Sequence, residues 1–503
     1  MTRKLSAMKT TSSASHAPGK HPLLALPLCT LACLLVLAPD PASAQRAEAF
    51  HQRVKQYVVH DAPTIRIDDV RVVDGTGAPA KTGQSILMRD GKIVRIGPVE
   101  SVAKEAADVV IDGKGRTVMP GLVMMHEHLL FLDPLADAPS YMSEPLASPK
   151  AYLAWGATTI RTAGTFNGSD DLRVAQMVRE GQFAGPDINV TAPFLEGDGS
   201  FAYQMVPIAD PARARQIVNF WADAGATSFK IYMNISREVL AAAIDEAHKR
   251  GLQVTGHLCS VTFHEAAAAG IDGLEHGVIV ATDFVTDKKA DRCPPGGVAG
   301  DALLALKPDG PELAELIQTL VKRKVAVTST LPVFAAGVVD WFPTADDLAM
   351  LNEQSQLWAW QRLTAINRAP ERRERAARLV KAEMQFEKAF VAAGGTLLVG
   401  TDPTGWGGTL PGPGNHAALK LLVEAGFTPL EVIGIATLAG ARFQHIDGRV
   451  GSLAAGKQAD LLLVDGKPDE DIAQLNRIDL VFKNGIAFNS KRMKEDLRGK
   501  IGR

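Results

Sequence analysis

Two histidines, His126 and His128, close an apolar run that begins at Val118. Side chains two residues apart on a β-strand point to the same face, so both imidazoles can bind one metal ion through their ring nitrogens. Glu127 lies between them and must point to the opposite face, where we expect it to find a partner among surrounding helices. The pair alone is a weak signal, and the rest of the sequence has to support it.

Further side chains that can bind metal occur at the ends of later apolar runs, namely Lys230, His257, His276 and Asp402. A lysine cation is costly to bury in an apolar strand, whereas a neutral lysine amine can react with carbon dioxide. The product, N6-carboxylysine, carries two oxygens that can bridge two metal ions. Four histidines, this modified Lys230 and Asp402 would hold two divalent metal ions, and histidine-rich ligation favours zinc.

Each of these residues also has a purely structural interpretation. His276 could be a hydrogen-bonded core histidine, Lys230 could extend its ammonium group to solvent, and Asp402 could cap a helix. Chance could explain any one of these residues at a strand end, but it is a much poorer explanation for all six.

The central chain alternates short β-branched runs with amphipathic helical patterns, which is typical of parallel strands joined by crossover helices. The eight candidate strands are 122–128, 157–162, 188–193, 228–233, 253–258, 273–277, 326–331 and 396–402. They predict an α/β fold, a (β/α)8 TIM barrel over residues 119–445. Sites in such barrels form at the carboxyl ends of the strands, where the six residues occur.

The flanking segments 63–118 and 446–503 contain short strands and tight turns instead. We predict that they complete one small β-sandwich, with the barrel inserted between them and the segment 446–503 also supplying the C-terminal tail. Residues 45–62 form a polar lead-in to the first of these segments.

Residues 1–44 have the pattern of a Sec-type signal peptide: basic residues, an apolar run over 22–38, and a cleavage site before Gln45. A start at Met8 and an uncleaved membrane anchor are alternatives. Cleavage predicts a periplasmic or secreted protein without stable membrane association. Cys259 and Cys293 would remain in a compartment that permits a disulfide, and their pairing is left open.

The chain has 503 residues, of which 46% are hydrophobic and 22% charged, so it is long and apolar enough for a large globular fold. Its net charge of −2 offers no electrostatic footprint for nucleic acid. We expect a small-molecule substrate and a homo-oligomer.

Several segments together resemble the amidohydrolase superfamily, in particular its imidazolonepropionase-like and prolidase-like metal-dependent hydrolases. The segments are Pro-Gly-Leu with His126 and His128, Gly-Ala-Thr-Thr at 156–159, Phe-Lys-Ile-Tyr at 229–232, Val-Thr-Gly-His at 254–257, Leu-Glu-His-Gly at 274–277, Gly-Thr-Asp at 400–402 and the closing stretch 451–461. The similarity covers nearly all of the chain after the leader.

The resemblance implies that His126, His128, carboxylated Lys230 and Asp402 bind one metal ion. It implies that the same carboxylated lysine, His257 and His276 bind the second, and that Asp402 shuttles the proton of a hydroxide between the ions.

Three further residues are candidates for contacts to a substrate. Tyr232 shares the face of Lys230 and could donate to the substrate carbonyl, or be a packed tyrosine. Arg161 could bind a substrate carboxylate, or form a structural ion pair. His416 follows the last candidate strand and is expected to be solvated.

The sequence thus predicts a binuclear hydrolase that cleaves the amide (C–N) bond of a dipeptide or an N-acyl amino acid. Hydrolysis of lactones or other esters on the same metals is an alternative. A non-catalytic extracytoplasmic ligand-binding protein is a further alternative, which the presence of all six residues disfavours.

Overall fold

The computed structural model describes residues 47–133, 140–404 and 408–502, and they belong to one compact unit, Ala44–Arg503. The predicted signal peptide, 1–44, lies outside the described residues. The strands are β1 (Val58–His60), β2 (Thr64–Val72), β3 (Lys81–Arg89), β4 (Lys92–Pro98), β5 (Val109–Asp112), β6 (Thr117–Pro120), β7 (Leu122–Glu127), β8 (Leu130–Leu132), β9 (Tyr141–Ser143), β10 (Ala157–Thr162), β11 (Asp187–Asn189), β12 (Ser228–Ile231), β13 (Gln253–Gly256), β14 (Gly273–Glu275), β15 (Ala326–Ser329), β16 (Leu397–Val399), β17 (Leu461–Val464), β18 (Ile478–Lys483) and β19 (Ile486–Asn489).

The helices are α1 (Gln52–Lys55), α2 (Val99–Val102), α3 (Ala147–Ala154), α4 (Gly168–Arg179), α5 (Pro211–Ala224), α6 (Arg237–Lys249), α7 (Phe263–Ala269), α8 (Val298–Ala305), α9 (Pro311–Arg323), α10 (Leu331–Ala335), α11 (Ala345–Leu348), α12 (Glu353–Asn367), α13 (Pro370–Ala392), α14 (Pro413–Glu424), α15 (Pro429–Gly434), α16 (Gly440–Phe443) and α17 (Ser490–Asp496). Short 3₁₀ turns occur at Ala47–Ala49, Gly277–Val280, Val339–Trp341 and Ile472–Arg477, and a π-helical turn at Ile435–Ala439. None of the described helices is both long and apolar enough to cross a membrane.

The central strands pair in parallel, as the alternating pattern predicted. One parallel sheet has the order β11-β10-β7 and another the order β12-β13-β14-β15-β16. A strand occurs within each of the eight candidate segments or overlaps it. The α/β fold with parallel sheets is therefore confirmed.

Backbone contacts also join the edges of these two sheets. Thr191 and Ser228 form a parallel bridge between the segment after β11 and the start of β12. At the opposite edges, the amides of Thr401 and Asp402 donate to the carbonyl of His126 over 3.1 and 3.0 Å. Parallel strands with covered edges are expected to be buried on both faces, and β7, β10 and β12 are buried throughout.

Local signals in the sequence begin and end the crossover helices. The carboxylate of Asp210 accepts a hydrogen bond from the Arg213 amide at the start of α5, and Pro211 occupies the first turn. Gly225 ends this helix with a φ of 106°, a backbone conformation that glycine adopts without steric cost. Thr262 and Glu265 form a reciprocal capping pair at the start of α7.

Strands from both ends of the chain form one further sheet. Its order is β1-β19-β18-β17-β6-β2-β3-β4, and β5 pairs with β2. β17 pairs antiparallel with β6, so the last part of the chain adds directly to the first. β1 lies in the segment predicted as a polar lead-in; it adds to the sheet edge through β19, a partner more than 400 residues away that sequence periodicity cannot reveal.

Candidate metal centre

Three of the four candidate ligands of the first metal lie at the carboxyl ends of β7 and β16. His126 and His128 are both buried, with ring centroids 5.4 Å apart. The Oδ1 atom of Asp402 lies 3.1 Å from Nε2 of His128 and 3.6 Å from Nε2 of His126. One potential ligand atom from each of these three residues lies within 4.8 Å of the others, which is a spacing suited to one bound cation.

The remaining two histidines continue this cluster. The ring centroid of His276 lies 4.7 Å from that of His126, and the ring centroid of His257 lies 4.4 Å from that of His276. Lys230 lines the same cavity of about 180 Å³. The structure therefore brings together all six residues that the sequence predicted as ligands, although they come from five different strands or strand ends.

Hydrogen bonds to Nδ1 orient three of the imidazoles. Nδ1 lies 2.7 Å from Glu275 Oε2 in His126, 3.0 Å from the Gly164 carbonyl in His128, and 2.7 Å from Thr330 Oγ1 in His276. Such contacts fix the tautomer and ring orientation of metal-binding histidines and leave Nε2 as the ligand atom. The donor set fits divalent cations.

Burial lowers the pKa of three of these histidines, His128, His257 and His276, and so favours the neutral form that metal ligation requires. It lowers the pKa of His257 to about 3, with a further contribution from Lys230, and lowers that of His276 well below its usual value. Burial alone would raise the pKa of Asp402, but His126 and His128 hold it well below its usual value. Asp402 is therefore an ionised carboxylate.

Lys230 is 1% exposed, so its side chain does not extend to solvent. Burial lowers the pKa of its amine to about 8, although Glu275 and Asp402 act in the opposite direction. Roughly one tenth of the amine is then unprotonated at pH 7, and this is the form that can react with carbon dioxide.

Two ligand candidates have an unusual backbone conformation. His276 and Asp402 have φ values of 72° and 56°, in the left-handed region that residues other than glycine rarely adopt. Such strain concentrates at functional sites. Asp402 does not cap a helix, because the two described residues that follow it, Pro403 and Thr404, are not helical.

Arg161 forms the structural ion pair and is not placed to bind a substrate, which corrects the prediction of a substrate-carboxylate ligand. Its Nη2 atom lies 2.6 Å from Oε1 of Glu275, its Nε donates to the Met125 carbonyl, and its Nη1 donates to Thr255 Oγ1. Only 2% of the residue is exposed. It stabilises the carboxylate that orients His126.

Glu275 is a site residue to which the sequence assigned no role. Its carboxylate joins Arg161 to His126 and is fully buried. The left-handed conformation of His276 interrupts the alternation of side chains after β14, so both Glu275 and His276 contact His126. The sequence signal that could have indicated this role is the position of a charged residue directly before a candidate ligand, His276.

Glu127 has the partner in the surrounding helices that the sequence predicted. Asn415 on α14 donates to it over 3.0 Å, and the hydroxyl of Thr401 donates to its other oxygen. Burial raises the pKa of Glu127 to about 8. The residue links β7 to the segment after β16 from the side opposite the histidines.

Tyr232 lines the metal-centre cavity, as Lys230 does. Its ring centroid lies 5.1 Å from that of His257 and 4.9 Å from that of Phe194. Burial raises the pKa of its hydroxyl well above the usual value, so the group is a proton donor over the whole physiological range.

His416 is buried, and the expectation that it is solvated was wrong. Its Nδ1 lies 3.0 Å from Asn476 Oδ1 and its Nε2 lies 2.9 Å from the Trp155 carbonyl. The residue lies in the first turn of α14, which packs against the C-terminal part of the chain. The ring nitrogens of His416 thus form hydrogen bonds that connect α14 to other elements, and they do not contribute to the metal centre.

Cys259 and Cys293 form a disulfide, the pairing that the sequence left open. Their Cα atoms lie 5.0 Å apart, and the two cysteines are 34 positions apart in the sequence. It connects the loop after β13, which carries His257, to the long loop before α8. Such a crosslink restricts the unfolded chain and anchors this loop beside the site.

The fold and this site together define a metal-dependent hydrolase. The model of the amidohydrolase family matches residues 117–487. The chain belongs to this family.

Three individual proteins show how similar this chain is to known sequences and structures. An uncharacterized protein of Mycobacterium tuberculosis is 29% identical over 226 residues, which is 42% of this chain, and the chain spans 56% of the length of that relative. A Xaa-Pro dipeptidase crystallised with bound methionine has a TM-score of 0.63 at 21% identity, covering 85% of this chain and 100% of the other. The bottromycin amidohydrolase AH has a TM-score of 0.66 at 20% identity, covering 92% and 94% of the two chains. These structural similarities show the fold.

Proposed function

We propose that the protein is an exported binuclear metal-dependent hydrolase that cleaves the amide bond of a small substrate, a dipeptide or an N-acyl amino acid. The observation that carries this proposal is the convergence of four histidines, one aspartate and one buried lysine on a single cavity. Hydrolysis of lactones or other esters at the same site is the alternative.

Two divalent cations, zinc in this proposal, would be held by His126, His128, Lys230 and Asp402 on one side and by Lys230, His257 and His276 on the other. Lys230 would serve both as N6-carboxylysine, and the lowered pKa of its amine supports this modification. When bound, the cations lower the pKa of water and polarise the carbonyl under attack.

The residues of the chain supply the proton transfers. Asp402 is ionised and partly exposed to the cavity, so it can accept the proton of the attacking water and deliver it to the leaving nitrogen. Tyr232 remains protonated and can donate to the oxygen of the carbonyl as negative charge develops there.

The parallel strands are proposed to close into a (β/α)8 barrel over residues 119–445. The bridge between Thr191 and Ser228 and the contacts of Thr401 and Asp402 with His126 support closure at both junctions. The flanking segments 63–118 and 446–503 are proposed to form the β-sandwich. Their shared apolar cluster, which includes Ile67, Ile86 and Phe482, supports this arrangement.

Export through a cleaved signal peptide is proposed from the leader over residues 1–44. The disulfide between Cys259 and Cys293 supports an oxidising compartment. N-terminal sequencing of protein recovered outside the cytoplasm is expected to begin at Gln45. A retained leader would contradict cleavage.

A homo-oligomer remains our proposal for the assembly, and light scattering measures the mass of the particle in solution.

The proposed activity is tested by metal analysis together with a substrate screen. The purified protein is expected to contain about two divalent ions per chain, and chelation followed by reconstitution is expected to abolish and restore hydrolysis. Libraries of dipeptides, N-acyl amino acids and lactones then separate amide from ester hydrolysis.

His257→Ala and the exposed His248→Ala are matched variants. The first is expected to lose metal and activity, and the second neither. Full activity of the metal-free protein would overturn the proposal.

A further inference from the structure

A second cavity, of about 600 Å³, lies directly against the metal-centre cavity. Phe166, Phe194 and Met205 line both cavities and form the wall between them. We call the second one the α5 cavity, because Arg213, Gln216, Ile217, Phe220 and Trp221 of α5 line its other side. Their spacing of three and four residues places them on one face of this helix.

The metal-centre cavity is too small for more than a small part of a substrate. Its volume is about 180 Å³, whereas sites that enclose a whole small-molecule ligand usually have about 300–1,000 Å³. The α5 cavity falls within that range. A substrate larger than the first cavity has the adjoining one available on the other side of Phe194.

The chemistry of the α5 cavity is predominantly apolar. Arg213 is the only charged residue among the described residues that line it. Two of its apolar residues are unusually exposed, Val206 at 76% and Phe220 at 64%. Large apolar side chains that remain exposed in one patch are typical of ligand-binding surfaces.

The walls of the α5 cavity are fixed by specific contacts. The side-chain amide of Gln204 accepts from the Tyr141 amide over 3.0 Å and donates to the Tyr141 carbonyl over 3.1 Å. Trp221 packs against Gly168 so closely that a β-carbon there would lie 2.7 Å from its ring. These contacts hold two parts of the cavity wall in place, which lowers the cost of ordering them when a ligand binds.

The shared wall also touches the residues of the metal centre. The ring centroid of Phe194 lies 4.9 Å from that of Tyr232 and 6.3 Å from that of His128. A substrate group that extends past Phe194 into the α5 cavity would therefore still be bonded to the part of the substrate whose carbonyl lies at the metal centre. The same aromatic side chain would contact both parts of a substrate.

We propose that the substrate carries a bulky apolar group, an aromatic ring system in particular, which occupies the α5 cavity while its scissile bond lies at the metal centre. This inference rests on the proposed function and specifies its substrate class. Phe194 and Met205, together with the α5 face, are then the residues that determine specificity.

A binding experiment tests the cavity without requiring hydrolysis. In calorimetric titrations of the metal-loaded protein, 2-naphthamide is expected to bind and acetamide is not. Ile217→Trp fills the cavity and is expected to weaken binding of 2-naphthamide at least 10-fold. Ala212→Trp, at an exposed position of the same helix, is the matched control and should bind as the wild type does.

A second variant covers failure of Ile217→Trp to fold. Phe220→Glu places a charge at the wall of the cavity from a position that is already 64% exposed. It is also expected to weaken 2-naphthamide binding at least 10-fold. Wild-type affinity in a folded variant with the cavity filled or charged would overturn the proposal.

Kinetics then connect the cavity to specificity. The substrates are N-acyl amino acids in which either the acyl group (acetyl or 2-naphthoyl) or the amino acid (alanine or 2-naphthylalanine) is varied. At one of these two positions, the kcat/KM of the bulky substrate should exceed that of its small counterpart at least 10-fold. Phe220→Glu should remove this preference, whereas the control variant Ala212→Trp should retain it. Equal kcat/KM values for small and bulky substrates would contradict the inference, whereas 2-naphthamide binding without any hydrolysis would contradict only the proposed function.

Discussion

Lys230 shows how burial decides the chemistry of a single residue. Its side chain is almost inaccessible, and the pKa of its amine is lowered to about 8 mainly by burial. As a cation it would be repelled by any metal ions held by the surrounding histidines. The proposed carboxylation would convert it into an anion with two oxygens and so remove this conflict.

Lys230→Ala is expected to lose bound metal and activity together, because it removes the carboxylate that is proposed to bridge the two ions. Lys230→Arg should not restore either, since a guanidinium can neither be carboxylated nor bind the ions. Short carboxylic acids added to Lys230→Ala are expected to recover part of the activity. Metal analysis and turnover measure all three effects, and wild-type metal content in Lys230→Arg would assign Lys230 a structural role only.

Tyr232→Phe separates a catalytic hydroxyl from a packed ring. The ring contacts with Phe194 and His257 remain in this variant, so stability and metal content should not change. If the hydroxyl donates to the developing oxyanion, kcat is expected to fall about 100-fold. Steady-state kinetics with the screened substrate measure this, and an unchanged kcat would leave Tyr232 as a packing residue.

At the residue scale, the sequence could predict chemistry but not partners. The His-x-His spacing and the lysine in an apolar strand indicated the metal centre because both signals are local. The partners of Arg161 and His416 come from distant segments, Glu275 and Asn476 respectively. Whether a polar side chain faces a substrate or the protein interior depends on such tertiary contacts. The sequence therefore left two roles open for Arg161 and gave the wrong environment for His416.

At the element scale, α13 buries two carboxylates one helical turn apart. Glu383 accepts from the amide of Ile279 over 2.8 Å and so holds the 3₁₀ turn that follows His276. Its close approach needs Gly277, because a β-carbon there would overlap the carboxylate. Burial raises the pKa of Glu383 well above its usual value, and that of Glu387 to about 8.

The raised pKa of Glu387 predicts a pH-dependent stability. The unfolded chain loses this proton near pH 4.5 and the folded protein only near pH 8. Stability should therefore fall as the pH rises between these values, by a few kcal/mol in all for this group. Glu387→Gln removes the titration, so its stability relative to the wild type should increase from pH 5 to pH 8.

Urea unfolding at several pH values measures this difference. Glu374→Gln, at an exposed position of the same helix, is the control and should follow the wild type across the range. A pH-independent difference between Glu387→Gln and the wild type would show that Glu387 does not titrate as its burial indicates.

The elements themselves were largely predictable, because parallel strands give apolar β-branched runs and helices give amphipathic ones. The exceptions have a common physical cause. β1 is stabilised by pairing with β19, and the segment around β11 continues beyond Asn189 only as isolated bridges. Pairing between strands that are distant in sequence leaves no periodic signal in either strand.

At the scale of the whole molecule, one buried ion cluster connects the terminal sheet to the parallel strands. Nζ of Lys483, at the end of β18, lies 3.0 Å from Asp460 and 3.2 Å from Asp187. Asp187 begins β11 and also pairs with Arg449 over 3.0 Å. Lys483 thus neutralises carboxylates from both parts of the chain.

Lys483→Met is expected to destabilise the protein by about 3–5 kcal/mol, because it leaves the buried carboxylate of Asp460 without a cation. Asp187 keeps Arg449, so Asp460 should account for most of the loss. Burial already raises the pKa of Asp460 in the presence of Lys483. Without the lysine this pKa should rise further, and the destabilisation should diminish as the pH falls and Asp460 takes up a proton.

The double variant Lys483→Met/Asp460→Asn decides whether charge is the cause. It removes both members of the pair and is expected to recover most of the lost stability in urea unfolding, whereas Lys467→Met, which removes an exposed lysine paired with Glu470, should have a far smaller effect. If Lys483→Met behaves like Lys467→Met, the cluster does not hold the terminal sheet against β11. In that case the apolar contacts between these parts must suffice to keep residues from both ends of the chain in one folding unit.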